Sequence, residues 1–342
     1  MKKLKVGVIG LGRAGMMHLR NMMNIPRIEI LAVSELFLEN VKEEVTELGI
    51  PKMFSDYNDL LAIKEIEAVF IFSSTDTHEE ITIAAARAGK NIFCEKPLSM
   101  SLEEEKSLAV VQEVEKNNVK LAIGFNRRVD DQFLEMHQKI QAGIIGEPQV
   151  VKITSRDPGL LPHDLILRIG GLVFDFTMHD FDMVRYMMGS NIVEVYAKGT
   201  TLIDPTLKEI DDVDTLAVML EFENGSYGLI DNSRKAVYGY DQRVEVFGSK
   251  GMIKAENVSG STIETYLETE TLLKNPQPNF MERYRNTYIR EINLFVDALL
   301  DDQPLVATGM DVIMAQRVAA AVIESMKSGV PVKVDAVYPE VK

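Results

Sequence analysis

The chain has no tryptophan and, among its 342 residues, a single cysteine, Cys94. One thiol excludes an internal disulfide and fits a reducing, cytoplasmic setting. Cys94 stands inside an apolar run, where a thiol is expected to be buried and inert. No Cys/His spacing of a metal site occurs, so no metal is expected. No stretch approaches the ~20 consecutive apolar residues of a membrane span. Positive charge is in deficit as well: 37 Lys and Arg face 52 Asp and Glu, for a net charge of −15. Nucleic acids and anionic membranes both reward basic patches, so neither is expected as a partner. The opening Met1-Lys-Lys-Leu-Lys-Val-Gly-Val-Ile-Gly10 has the basic start of a signal peptide. Its apolar part is too short and runs into a glycine turn, so it reads as a first strand.

What is present is the composition of a soluble globular protein, 46% hydrophobic and 26% charged. The length exceeds one ordinary core and predicts two domains. Strands are expected at Lys5–Ile9, Ile28–Val33, Ala68–Phe72, Asn91–Glu95 and Val119–Ile123, with helices at Ala14–Met23, Leu36–Leu48, Glu79–Ala88 and Leu102–Asn117. Strands separated by helices imply βαβ units and a doubly wound parallel sheet, a Rossmann domain over residues 1–123. Residues 124–342 follow another grammar. Val150–Ser155, Val193–Gly199, Thr215–Phe222, Tyr227–Asn232 and Arg243–Phe247 succeed one another mostly through turns, with hairpin signals at Asn224-Gly225 and Gly248–Gly251. That predicts an α+β domain with a largely antiparallel open sheet. Helices are expected over Asp130–Ala142, Asp175–Met187, Glu282–Leu300 and Gly309–Lys327.

Gly10-Leu-Gly12-Arg13-Ala14-Gly15 follows a strand and opens a helix. Its glycines suit the tight turn, the backbone approach to a pyrophosphate and close helix–strand packing, with the phosphates on helix N–H groups. The acid expected at the end of the second strand is Glu35, which accepts hydrogen bonds from a ribose diol and repels a 2′-phosphate. Leu36 and Phe37 stand where an NADP enzyme often has arginine, so NAD is the expected cofactor. At the same sheet edge, Ser73, Ser74, Thr75 and His78 line the nicotinamide side in one reading. In the other they cap the next helix, the reading preferred for Asp76 and Thr77.

Glu95-Lys96-Pro97 delivers a lysine to the carboxyl end of a strand, where an open α/β sheet binds its ligands. Lysine there polarises a hydroxyl; the bland reading is a strand that simply ends at proline. Asp175 and His179, four residues apart, share one face of a predicted helix. Histidine titrates near neutrality and suits removal of an alcohol proton. Such a pair is also a common surface contact, and Asp180 and Asp182 read equally as solvated charges.

Together the glycine loop, Glu95-Lys96-Pro97, Gly124-Phe-Asn-Arg-Arg128 and the Asp175/His179 spacing resemble the glucose-fructose oxidoreductase/inositol dehydrogenase/MocA family over essentially the whole chain. Thr154–Pro158, Gly170-Gly171, His179–Asp182 and Tyr238–Gly251 look most like its inositol 2-dehydrogenases. The resemblance implies NAD-dependent oxidation of a secondary ring hydroxyl of a cyclic polyol, myo-inositol first, by a cytoplasmic homo-oligomer, tetramer or dimer. It implies His179 as general base, Asp175 as its partner, and Lys96 on the reacting hydroxyl and cofactor ribose, with a cis bond to Pro97. Glu95 joins the cofactor set, and Arg127, Asp157, Tyr238 and Tyr288 are implied polyol contacts. Gly159–Leu167 lies in a variable part of the family that borders the substrate, which leaves the polyol open. The alternatives are a scyllo-inositol or aldose dehydrogenase of the same family, a non-catalytic dinucleotide-sensing regulator and a structural oligomer. Retention of Lys96, Asp175 and His179 argues against the regulator.

Overall fold

The computed structural model of the chain describes residues 2–99 and 104–334. They divide into two compact units, one holding the residues up to Asn126 together with Asn286–Met314, the other Arg127–Arg285 and the chain from Ala315 onward.

The first unit is built on β1 (Leu4–Ile9), β2 (Ile28–Ser34), β3 (Met53–Phe54), β4 (Ala68–Ile71), β5 (Asn91–Cys94) and β6 (Leu121–Ile123). All pair in parallel in the order β3-β2-β1-β4-β5-β6. The strand order reverses between β1 and β4, and ligands of such sheets bind outside the carboxyl ends at that point. Along the chain run α1 (Arg13–Met23), α2 (Lys42–Glu47), α3 (Tyr57–Leu61), α4 (His78–Arg87) and α5 (Glu104–Lys116). β4 is buried at every position, as a parallel strand covered on both faces must be. α1 buries Gly15, Met16, His18, Leu19 and Met22, a helical stripe. The expected helix over 36–48 is instead a 3₁₀ turn, Leu38–Asn40, followed by α2. β3 and α3 were not expected, being too short to show a period. The first positions of the helix expected at 102–117 lie outside the described residues.

The second unit contains α6 (Asp131–Gln141), β7 (Pro148–Arg156), α7 (His163–Ile169), a π turn over Leu172–Thr177 and α8 (Met178–Met188). There follow β8 (Ile192–Thr200), β9 (Thr215–Phe222), β10 (Tyr227–Ser233), β11 (Asp241–Gly248), β12 (Gly251–Ala255), β13 (Thr265–Tyr266), β14 (Thr271–Leu272) and α9 (Phe280–Arg283). The chain continues with α10 (Arg285–Leu300), almost wholly in the first unit, α11 (Gly309–Ser328), divided between the two units, and β15 (Val332–Lys333) in the second. The large sheet runs β12-β11-β7-β10-β9-β8-β15, with β7 and β10 parallel and the other pairs antiparallel. β9 alternates buried and exposed positions, so one sheet face packs on the core and the other does not. Asn224-Gly225 turns β9 into β10 with Gly225 at φ +79°, a left-handed conformation that suits glycine.

The sequence division at 123/124 assigns α10 to the second domain. In the structure α10, apart from Arg285, belongs to the first unit. Its buried Ile292, Phe295 and Val296 complete that core, with the Phe295 ring 5.4 Å from Phe70 and 5.8 Å from Phe93.

Candidate active site

At the carboxyl ends of β1, β2 and β4 the glycine loop takes the shape its residues dictate. Gly10 sits at φ +89°, and a Cβ there would stand 2.3 Å from the Ser73 backbone nitrogen. A Cβ on Gly15 would stand 2.1 Å from the Gly10 carbonyl oxygen. Gly12, which caps α1, faces open space with no atom within 4 Å of its Cβ position. Two glycines are thus required by contact, while the third leaves room for a pyrophosphate before the N–H groups of Arg13, Ala14 and Gly15. Glu35 Oε2 accepts from Leu11 N–H at 2.6 Å and Oε1 from Phe37 N–H at 3.1 Å. This fixes the carboxylate beside the loop. Leu36 and Phe37 are exposed.

Beyond β4 the Thr77 hydroxyl donates toward Ser73 Oγ and the Ser74 carbonyl, both at 2.7 Å. The expected caps are not formed: Thr77 makes no side-chain cap to α4, and Asp76 is exposed. Here the Ser73 hydroxyl competes successfully for the Thr77 side chain. Ser74 is exposed and Thr75 half-buried in the same turn. His78 is buried, its two ring nitrogens against the carbonyls of Pro97 and Ser73.

Glu95-Lys96-Pro97 follows β5, with a cis peptide before the proline and Lys96 half-buried. Glu95 Oε1 lies 3.2 Å from His18 Nε2, whose ring stacks on Phe72 at 4.1 Å and meets the edge of Tyr288 at 5.1 Å. Tyr288 thus stands in the first unit. A Cβ on Gly124 would come 2.9 Å from Glu95 Oε2, which explains the glycine opening Gly124–Arg128. The ligand atoms of His18, Glu95 and Glu291 lie within 4.8 Å of one another. Both Glu291 oxygens are buried with no hydrogen-bond partner among the described residues. Burial first, and then the charge of Glu95, push the Glu291 carboxyl well above its ordinary range. A cation at this trio would need Glu291 ionised, which burial opposes.

In the second unit the π turn ending at Thr177 carries Asp175, and α8 carries His179. π turns of this kind recur at functional sites. The buried Arg234 donates from Nη1 to Asp175 at 3.0 Å and to Asp157 at 2.9 Å. Asp157 is pushed up to about 6, by burial first; Arg234 opposes this and the charge of Asp175 adds to it. Arg127 is buried too, paired with Asp180 at 2.5 Å. Asp180 also accepts from Ser155 Oγ at 2.6 Å and Asn232 Nδ2 at 2.7 Å. Arg128 grips Asp182 through two bonds of 2.8 and 2.5 Å. Asp180 and Asp182 are therefore buried partners, not solvated charges, because adjacent arginines need desolvated counter-charges. Tyr238 donates to Asp241 at 2.5 Å and accepts from Arg156 at 3.2 Å.

The structure thus brings Asp157 and Asp175 together on Arg234. It places Lys96 and Tyr288 in the first unit and Asp175, His179, Arg127, Asp157 and Tyr238 in the second. Arg234 and Glu291 escaped the sequence reading. Glu291 carried a signal, an acid on the apolar stripe of a helix; Arg234, just beyond a strand, carries none in the sequence.

A parallel sheet in this order, a glycine loop of this shape and an acid at the end of β2 define the NAD-binding Rossmann oxidoreductases. Residues 4–125 match the family model described as an oxidoreductase family with an NAD-binding Rossmann fold, and residues 133–254 match the GFO/IDH/MocA C-terminal domain. The chain belongs to the glucose-fructose oxidoreductase/inositol dehydrogenase/MocA family. It is 43% identical to an uncharacterized oxidoreductase of Bacillus subtilis, over 98% of this chain and 97% of that one. It is 41% identical to the myo-inositol 2-dehydrogenase of Thermotoga maritima, over 98% and 99%. Among solved structures, scyllo-inositol dehydrogenase from Lactobacillus casei with NAD(H) and scyllo-inositol superposes with a TM-score of 0.90 at 28% identity, covering 97% of this chain and 99% of that chain. The chain is accordingly an NAD-dependent oxidoreductase. Among the described residues no helix is long and apolar enough to cross a membrane.

Proposed function

We propose that the enzyme oxidises a secondary ring hydroxyl of a cyclic polyol, myo-inositol to its 2-ketone, with Lys96, Asp175 and His179 as catalytic residues. The observation that carries this reading is His179 following an Asp175 that a buried arginine holds in place. The names of the whole-length relatives support the substrate class. His179 takes the proton of the reacting hydroxyl, and Asp175 orients the substrate beside it. Lys96 stabilises the developing alkoxide. Bound NAD supplies the hydride acceptor; Gly10, Gly12, Arg13, Ala14, Gly15 and Glu35 hold it, with Ser73, Ser74, Thr75 and Glu95 shaping the adjoining edge. The second unit selects the substrate. Asp157 and Tyr238 contact the polyol, while Arg127, spent on Asp180 and on Ser155 of β7, braces the strand that leads to Asp157.

The bound ligand of the Lactobacillus casei structure favours scyllo-inositol as the second reading. NADH formation across a panel of inositols and aldoses, with NAD and NADP side by side, tests both. Turnover is expected with an inositol and NAD. Binding of NADH without oxidation of any polyol would instead indicate a dinucleotide-sensing regulator.

The same reading makes the protein a cytoplasmic homo-oligomer, a tetramer or dimer. On the exposed face of the large sheet Met252, Phe247 and Tyr227 stand in one row through Val150, beside Leu229 and Met219. An apolar strip of this kind is what a second copy covers. Light scattering on the eluting protein should show no monomer.

A further inference from the structure

His78 opens α4, is 1% exposed, and faces two oxygens that can only accept. Its Nδ1 lies 2.8 Å from the Pro97 carbonyl and its Nε2 3.0 Å from the Ser73 carbonyl. A neutral imidazole has one N–H. It would satisfy one carbonyl and turn a bare lone pair toward the other. The imidazolium alone donates to both, through charge-assisted bonds. Three elements meet the ring: the end of β4 and the segment after β5 present carbonyls, and β5 itself presents Cys94. Burial alone lowers the pKa of the ring, but the Cys94 sulfur, and then the two carbonyls, push it up to about 9. The positive end of α4 works against the cation, so the carbonyl geometry must outweigh it.

We propose that His78 is a positioning residue, held doubly protonated so that one ring ties the carbonyl of Ser73 to that of Pro97 and thereby sets where Lys96 stands. The backbone of Ser73 is the wall against which Gly10 is confined, and Pro97 directly follows the lysine. One buried cation therefore links the cofactor loop to the group that acts on the substrate. The link rests on the proposed role of Lys96.

Two measurements test it. Protein labelled with ¹⁵N-histidine is read by long-range ¹H–¹⁵N correlation, with His78→Gln assigning the signal among the five histidines. Both ring nitrogens of His78 should appear protonated at neutral pH and stay so until the pH rises through about 9. A pyridine-type nitrogen at neutral pH overturns the proposal, whatever the enzyme's substrate proves to be. In His78→Gln, kcat should fall about 10²-fold, the effect of misplacing a reacting group, with NADH binding retained and the alkaline limb of the pH profile near 9 removed. A folded variant with unchanged kcat and an unchanged profile rejects the positioning role. Absence of polyol turnover in the unaltered protein would instead fault the functional reading and leave the NMR result to decide this one.

Discussion

In the second unit the side chains of Arg127, Arg128, Arg234 and Arg283 are buried and each faces at least one carboxylate. In the first unit the buried His18 and Glu291 share Glu95 as a neighbour, and His78 leans on backbone carbonyls. One region neutralises its buried charge pair by pair, while the other keeps buried groups whose proton decides their charge. The paired region fixes the shape of its polar surface. The proton-dependent region lies at the sheet edge that carries Lys96 and is proposed to hold the cofactor, where small changes in charge matter most.

Lys96→Ala in the first unit and His179→Ala in the second should each cut turnover by about 10²–10⁴-fold, with NAD binding intact by fluorescence titration; unchanged turnover in both would sink the site assignment. Next comes the paired charge. Asp180→Ala strands the buried Arg127 and should cost about 3–5 kcal/mol in urea unfolding. A loss near zero would mean that the pair is not desolvated. Glu35→Gln should weaken NAD about tenfold, the loss of one charged hydrogen-bonding acceptor, and narrow its advantage over NADP. Equal use of both cofactors by the unaltered enzyme would remove the role given to Glu35.

The smallest effect sharpens the contrast. The folded-state pKa of Glu291 is raised, so its contribution to stability is complete below the unfolded carboxylate value and falls as pH rises toward the folded one. Glu291→Gln should be nearly neutral at acid pH and flatten that decline. Denaturation at mildly acidic and mildly alkaline pH reads the difference, and parallel slopes for the two proteins would refute it.

Much of this is legible in the sequence. The strand–glycine–helix order, Glu35 at the end of β2 and the change of grammar after residue 124 are local patterns, set by backbone sterics and burial period. The partners were not legible. Asp180 and Asp182 look like solvent-facing acids until Arg127 and Arg128, more than fifty positions earlier, are folded against them. Tyr288 and Glu291 lie far along the chain, yet their helix completes the core of the first unit. Thr77 looked like a cap because its spacing was right, and a neighbouring hydroxyl took it.

By itself the sequence determined the Rossmann grammar and NAD as the cofactor, and it supplied the residues proposed to move a proton, because each reading depends on a few neighbouring side chains and a regular repeat. Tertiary structure alone decided which charges are buried, which arginine holds Asp175 and what His78 touches. Desolvation and hydrogen-bond partnership arise when distant segments close over a group, and they set its charge as much as its chemical type does.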